Sequence, residues 1–383
     1  MKRAMPVFRL TRSRLCLAAI VMLVAGVGTA TAQTTQPTAM QPKIAKQAKP
    51  DGKTSTSKTS NNYDKRIDLS AVAKRLAKTQ ALDASWVRQA LSQANYVGAI
   101  AKAVEPAPAG VVKNWAAYKA RFIEPVRIEA GLEFWRQHQS ALERAEKSYG
   151  VAPEIIVGII GVETLYGRYT GAYRVIDALA TLAFDFPKTH PKAAQRREYF
   201  FSELGHFLKL AKQLGRDPSS MRGSYAGAMG LPQFMPSSWL DHAVNFDEDK
   251  GIDLWGSPVD AIGSVANYLR AYGWQRQQAT HFEISFDSAA LNKTTLLEPD
   301  ILPTFDRQTF QSLGIRLADE AASQYPGKWA LIELFNGDDP PSYVAGTENF
   351  YVITRYNQSS YYAMAVIELG QAVKSARQSR RGP

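Results

Sequence analysis

The chain has 383 residues, 45% hydrophobic and 21% charged, a balance that excludes a wholly disordered or collagen-like polymer. Its length suffices for two or three units with cores of their own. The formal charge of +11 is not spread evenly: residues 1–32 hold five positive charges, residues 33–62 a net +4, and residues 63–383 only about +2. The basic character therefore sits in the N-terminal segments, which removes the main argument for a nucleic-acid binder.

Residues 1–32 read as an export signal. "MKRAMPVFRLTRSR" is basic, "LCLAAIVMLVAGVG" is apolar but too short to span a bilayer comfortably, and "TATA" supplies small residues for cleavage after Ala32. Cys16 is the only cysteine and lies inside this segment without the context of a lipid-attachment site. The mature protein is therefore expected in the periplasm, soluble and without disulfides. Residues 33–62, rich in Thr, Ser, Pro and Lys, lack the apolar content to fold and read as a linker.

From 63 to 150 the pattern is helical. "DLSAVAKRLAKTQ" offers Ser70 as N-cap, "LDASWVRQALSQA" offers Asp83 or Ser85, and "GLEFWRQHQSALERAEKSYG" reads as one long amphipathic helix ended by Gly150. "VAPEIIVGIIGVETLYG" places Pro153 at a first helical position and Gly167 after the end. Its apolar residues surround the axis, so burial on all sides is expected. Helices follow in "PKAAQRREYFFSELGHFLKLAKQLG" and "SPVDAIGSVANYLRAYGW". After about Thr280, "HFEISF", "KWALIELF" and "NFYVITRY" favour β structure, with Asn336-Gly337 and paired prolines between them. The division is a helical part over 63–150, a core over 151–280 and a small β-rich part over 281–354. The helix "SSYYAMAVIELGQAVKSA", in the 355–383 tail, returns to the first helical part.

Glu163 is anomalous. It follows eight consecutive apolar or glycine residues, where burial disfavours its charged form and raises its pKa. The C-terminal end of a helix acts in the same direction. A carboxyl that keeps its proton near neutrality is what protonating a leaving oxygen requires. The plainer reading is a glutamate facing solvent at a helix end. A second cluster, "GSYAGAMGLPQFMPSSW" over 223–239, sets Gln233 among small residues, prolines, aromatics and thioethers. Small residues let backbone approach a ligand, and an amide offers both donor and acceptor to hydroxyl or N-acetyl groups. The plainer reading here is a packed irregular loop.

The phrases "PEIIVGIIGVET", "DALATLAFDFP", "RREYF", "GSYAGAMGLPQFMPSS", "DLW…SPVDAIGSVANYL" and "NFYVITRYN…YYAMAV" stand in one order over about Tyr63 to Ala376. Together they resemble the membrane-bound lytic murein transglycosylase B family, glycoside hydrolase family 103. The resemblance implies a mainly α (α+β) fold: a lysozyme-like core with an additional helical domain and a small β-rich domain around a glycan groove. It implies cleavage of the β-1,4 bond between N-acetylmuramic acid and N-acetylglucosamine in peptidoglycan strands, leaving a 1,6-anhydro ring. Glu163 matches the single catalytic acid and base. Ser224 and Gln233 match positions lining sugar subsites, and Tyr118, Tyr268, Tyr356 and Tyr362 match tyrosines around the cleft. Arg196 and Arg197 match a pair placed to meet carboxylates. For each tyrosine the competing reading is helix packing, and for the arginines a solvated helix face.

The same resemblance bears on "NFDEDKGIDLWGSPVD". Asn245, Asp247, Asp249 and the carbonyl of Gly251, with Asp253, follow EF-hand spacing, and Asp260 matches the family's late carboxylate. Asn at the first position, Lys250 at the sixth and Gly256 at the twelfth depart from it. A weak structural calcium is one reading; Ser257-Pro258-Val259-Asp260 as a helix cap is the other. No cofactor is expected for catalysis. His138, His190, His206, His242 and His281 never form a zinc-hydrolase motif, and no Gly-x-Ser-x-Gly elbow occurs. Two alternatives remain: a non-catalytic peptidoglycan-binding or scaffolding protein, and a hydrolytic muramidase.

Overall fold

The computed structural model describes residues 60–381 apart from 107–109, 111, 250 and 319. The expected signal segment and almost all of the expected linker lie outside the described residues.

The N-terminal helices are set by local caps. Leu69–Gln80 begins on Asp68, not Ser70, because the Asp68 carboxylate accepts from the amides of Ser70 and Ala71. Ala84–Leu91 begins on Asp83, which accepts from Trp86 N. The stretch expected as one long helix is two, Pro125–Gln137 and Gln139–Tyr149, meeting at His138 with φ −116° and ψ 25°. After the break Ala141, Leu142 and Ala145 are buried on the core.

Pro153–Thr164 starts on its proline as expected, and Leu165 and Tyr166 then take left-handed conformations that stop it. Eleven of its twelve residues are buried, and the exception is Glu163. Around this helix pack Pro125–Gln137, Gln139–Tyr149, Pro258–Ala271 and the C-terminal Ser360–Arg381. The crossing with the C-terminal helix is close. A Cβ at Gly158 would lie 2.2 Å from Val366 O, and one at Gly370 would lie 2.1 Å from Glu154 O. Two glycines thus let the backbones touch, and a Lys374–Glu154 ion pair of 2.7 Å ties the far end. The long Ala193–Gln213 helix packs on Val175–Phe184, Pro236–His242 and Leu69–Gln80. One apolar cluster runs through all these helices, continuous across position 150.

A four-stranded antiparallel sheet has the order Ile315–Leu317, His281–Phe286, Asp339–Gly346, Ala330–Asn336. It carries a separate cluster around Trp329, Phe310 and Leu331. Pro340 and Pro341 obscure the Asp339–Gly346 strand in the sequence. They lie opposite a register shift between Leu334 and Asn336, where missing amides break no ladder. Glu348–Tyr356, expected as a strand, is a helix: Thr347 caps it by accepting from the amides of Asn349 and Phe350. Phe350, Ile353 and Thr354 form its buried face at helical spacing. Docking on the core outweighs the β preference of its residues.

Candidate active site

Glu163 lies at the floor of a pocket lined also by Tyr199, Gln233, Phe234, Ser237, Tyr268 and Tyr356. The residue keeps a partly accessible surface on the pocket side. Elsewhere protein atoms enclose its carboxyl, and this desolvation pushes its pKa up to about 7, against one opposing hydrogen bond. That bond comes from Tyr362 OH to Glu163 Oε1 at 2.6 Å. Tyr362 is buried on the C-terminal helix, and the glycine-mediated crossing is what brings it within reach. Burial, followed by the Glu163 charge, raises the phenol's pKa well above its ordinary value, so it stays a donor.

The other tyrosines make an aromatic wall. The Tyr356 and Tyr362 rings stack at 6.4 Å with 12° between planes, and Tyr268 lies 4.9 Å from Tyr356. Each is pinned by its hydroxyl: Tyr356 donates to Pro232 O and Tyr268 donates to Arg355 O at 2.6 Å. Tyr118, held among Trp115, Phe122 and Tyr361, has its pKa raised to about 12 by burial and then by the Glu163 charge, but it does not line the Glu163 pocket.

Gln233 adopts φ 49°, a left-handed conformation uncommon outside glycine. Its Nε2 donates to Gly230 O at 2.9 Å and Thr170 O at 3.1 Å, so the amide oxygen is the acceptor available to a ligand. Ser224 is differently placed. Its Oγ accepts from Ala228 N at 3.0 Å and its amide donates to Ala228 O, closing the loop beside the Tyr173–Arg174 and Arg222–Gly223 strand pair. It does not line the Glu163 pocket. Arg196 is half-buried one turn before Tyr199, while Arg197 is exposed; neither lines the pocket. Sequence reasoning did not single out Tyr199, Ser237 or Asn357. Their signal was adjacency: each lies within four residues of a matched position.

Asp260 reaches back along the 245–260 loop rather than to the Ser257 amide, which bonds to Asp253 O. Its Oδ1 accepts from Phe246 N at 2.6 Å and Asp247 N at 3.2 Å, and its Oδ2 accepts from Asp253 N at 2.8 Å. Ser257 caps the following helix by accepting from Asp260 N. Asp260 is thus spent on shaping the loop. Asp247 accepts from Ser257 Oγ at 2.6 Å and Asp249 accepts from Gly251 N at 2.9 Å. Among the described residues no three His, Cys, Asp or Glu side chains converge to hold a metal. Asn245, Asp247, Asp249 and Gly251 follow one another along a hydrogen-bonded loop, Asn245 Nδ2 donating to Asp249 O at 3.1 Å and Asp247 Oδ1 accepting from Asp249 N at 3.3 Å, while Asp260 holds the amides at its start. One atom does suit a cation: Asn245 Oδ1 is buried with no hydrogen-bond partner.

The family model for the transglycosylase SLT domain matches residues 64–371. The chain is 40% identical over 314 residues to membrane-bound lytic murein transglycosylase B of Escherichia coli strain K12, covering 79% of this chain and 81% of that protein. It is similar to the crystal structure of soluble lytic transglycosylase SltB1 from Pseudomonas aeruginosa, with TM-score 0.72, 39% identity, and coverage of 82% of this chain and 100% of that one. It is also similar to the Escherichia coli lytic transglycosylase Slt35 in complex with calcium, with TM-score 0.70, 38% identity, and coverage of 83% and 95%. A pocket with a desolvated, tyrosine-bonded glutamate at its floor thus occurs in a chain that belongs to the SLT transglycosylase family.

Proposed function

We propose that the protein is a peptidoglycan lytic transglycosylase that cleaves the β-1,4 bond between N-acetylmuramic acid and N-acetylglucosamine, leaving 1,6-anhydromuramoyl ends, with Glu163 as acid and base. The observation that carries this reading is the single opening in an otherwise buried helix, occupied by a carboxyl whose pKa burial brings up to about 7. Because Tyr362 donates to Oε1, the labile proton resides on Oε2. From there it passes to the glycosidic oxygen as the bond to the leaving sugar breaks. The carboxylate left behind, held by the Tyr362 bond, then accepts the proton of the muramoyl C6 hydroxyl as that oxygen closes onto C1. Ordinary glycosidases use two carboxylates. Among the described residues lining this pocket, Glu163 is the one carboxylate, which favours an internal acceptor over a water activated by a second acid. Mass spectrometry of murein sacculi digested with the protein tests the proposal. Anhydro-ended fragments are expected; reducing ends would mean a hydrolytic muramidase, and binding without products a scaffold.

Tyr362→Phe should lower kcat about tenfold, since the carboxyl loses the bond that stabilises the charge it takes on as it delivers its proton. The same loss should move the alkaline limb of the pH profile upward, because that bond lowers the Glu163 pKa. A rate fall with an unmoved limb would show that the tyrosine only packs.

Export to the periplasm is part of the proposal, supported by the basic and apolar N-terminus. Among the described residues no helix is long and apolar enough to cross a membrane. A weak structural calcium at Asn245, Asp247 and Asp249 rests on the partnerless Asn245 oxygen and on the calcium complex of Slt35, and no catalytic step runs through it. Millimolar calcium should raise the melting temperature by a few degrees over chelator while leaving initial rates unchanged. An unmoved melting curve would dismiss the ion.

A further inference from the structure

A second buried glutamate stands behind the pocket wall. Glu203 is only 3% exposed on the Ala193–Gln213 helix, one turn after Tyr199, which lines the pocket. Its Oε2 accepts from Ser237 N at 3.0 Å and its Oε1 from Ser237 Oγ at 2.6 Å. Ser237 is the second residue of the Pro236–His242 helix, so its amide is one of those a helix start leaves unpaired. Ser237 also lines the Glu163 pocket. Ser237 thus stands between the buried acid and the ligand space.

The two oxygens of Glu203 are not equivalent. Oε2 meets an amide, which only donates, so a proton on Glu203 must sit on Oε1, opposite the hydroxyl. When Glu203 is ionised, Ser237 must donate to it and offers only lone pairs to the pocket. When Glu203 is protonated, Oε1–H donates to Ser237 Oγ, and the hydroxyl hydrogen is released towards the pocket. We infer that Glu203 is a positioning residue whose proton sets whether Ser237 presents a donor or an acceptor to the sugar beside Glu163. The donor form suits a group that only accepts, such as the N-acetyl carbonyl; the acceptor form does not. The assignment of Ser237 to sugar recognition rests on the function proposed above.

The environment suits such a switch. Burial pushes the Glu203 pKa up to about 7, against the two Ser237 bonds, and the charge of Asp241 on the wall helix pushes the same way. Of the other charged groups nearby, His242 on the same wall helix lies 5.0 Å from Tyr268, with its pKa lowered by burial; Asp177 pairs with Arg174, Asp185 with Arg66 and Arg75 with Glu198, while Lys74 and Lys78 are exposed. Glu163 titrates in the same range, so turnover would mix the two.

Binding to a Glu163→Gln protein separates them, because Glu163 then no longer changes charge, and the Glu203→Gln variant tells the Glu203 titration from that of His242. The probe is a soluble glycan fragment carrying N-acetylmuramic acid, titrated calorimetrically from about pH 5 to about pH 9. Affinity should weaken several-fold as pH rises through about 7. Adding Glu203→Gln, whose amide keeps an acceptor for Ser237 N and a permanent donor for Oγ, should hold affinity at the low-pH value throughout. Adding Ser237→Ala should give the weak value at every pH, and Glu203→Gln should change nothing further in that background. An unchanged pH dependence in either double variant would overturn the inference. Because binding is read without turnover, its failure is distinct from absence of anhydro products, which would overturn the lyase reading.

Discussion

Glu163→Gln should reduce release of anhydro-ended fragments by about 10³-fold or more, with affinity for glycan retained. General acid–base catalysis by one positioned group contributes roughly 10²–10⁴-fold, and here one carboxyl performs both halves of the reaction. An amide keeps the acceptor for Tyr362 OH at the Oε1 position, so the wall of tyrosines stays in place while the transferable proton is gone. The rate of the unsubstituted enzyme should fall above pH about 7, as the carboxyl loses the proton it must deliver. A Gln variant that keeps even a tenth of the activity would remove Glu163 from the chemistry.

The same substitution should stabilise the protein, and only at the higher pH. The folded pKa of Glu163 is raised from 4.5 to about 7, so between those values the native state binds more protons than the unfolded state. Stability is therefore fully present below the unfolded pKa and is lost as pH rises through the folded one. The shift corresponds to about 2 kcal/mol once the partly accessible surface is allowed for. Glutamine cannot ionise and escapes this loss. Thermal unfolding should show Glu163→Gln melting several degrees higher than the unsubstituted protein at about pH 8, and together with it at about pH 4. An equal gain at both values would point to packing instead of charge, and no gain at pH 8 would mean that the carboxyl is solvated after all. An active site held at a cost in stability is the usual trade.

Much of the helical frame was legible in the sequence, because caps and periodicity act over three or four residues. Pro153 at the start of the central helix, Asp83 before Ala84–Leu91 and Ser257-Pro258 before Pro258–Ala271 all stand as that pattern requires. The continuous apolar run around Glu163 announced both a buried helix and an acid short of water. Where a residue's state depends on what packs against it, the sequence was silent or misleading. Glu348–Tyr356 has strand-forming residues and is a helix because Thr347 caps it and the core receives its buried face. His138 breaks a helix that its neighbours would have continued.

What the sequence determined by itself was that Glu163 closes an apolar run and would be short of solvent, and what company of small residues and tyrosines the chain carries. Only the tertiary structure decided that Tyr362, 199 residues away, donates to that carboxyl, that Asp260 serves backbone amides, and that Glu203 stands behind Ser237. The reason is physical. A desolvation cost is written into a local run of apolar residues, whereas a hydrogen bond between distant side chains exists only once two helices have met, and here their meeting depends on the absence of a Cβ at Gly158 and Gly370.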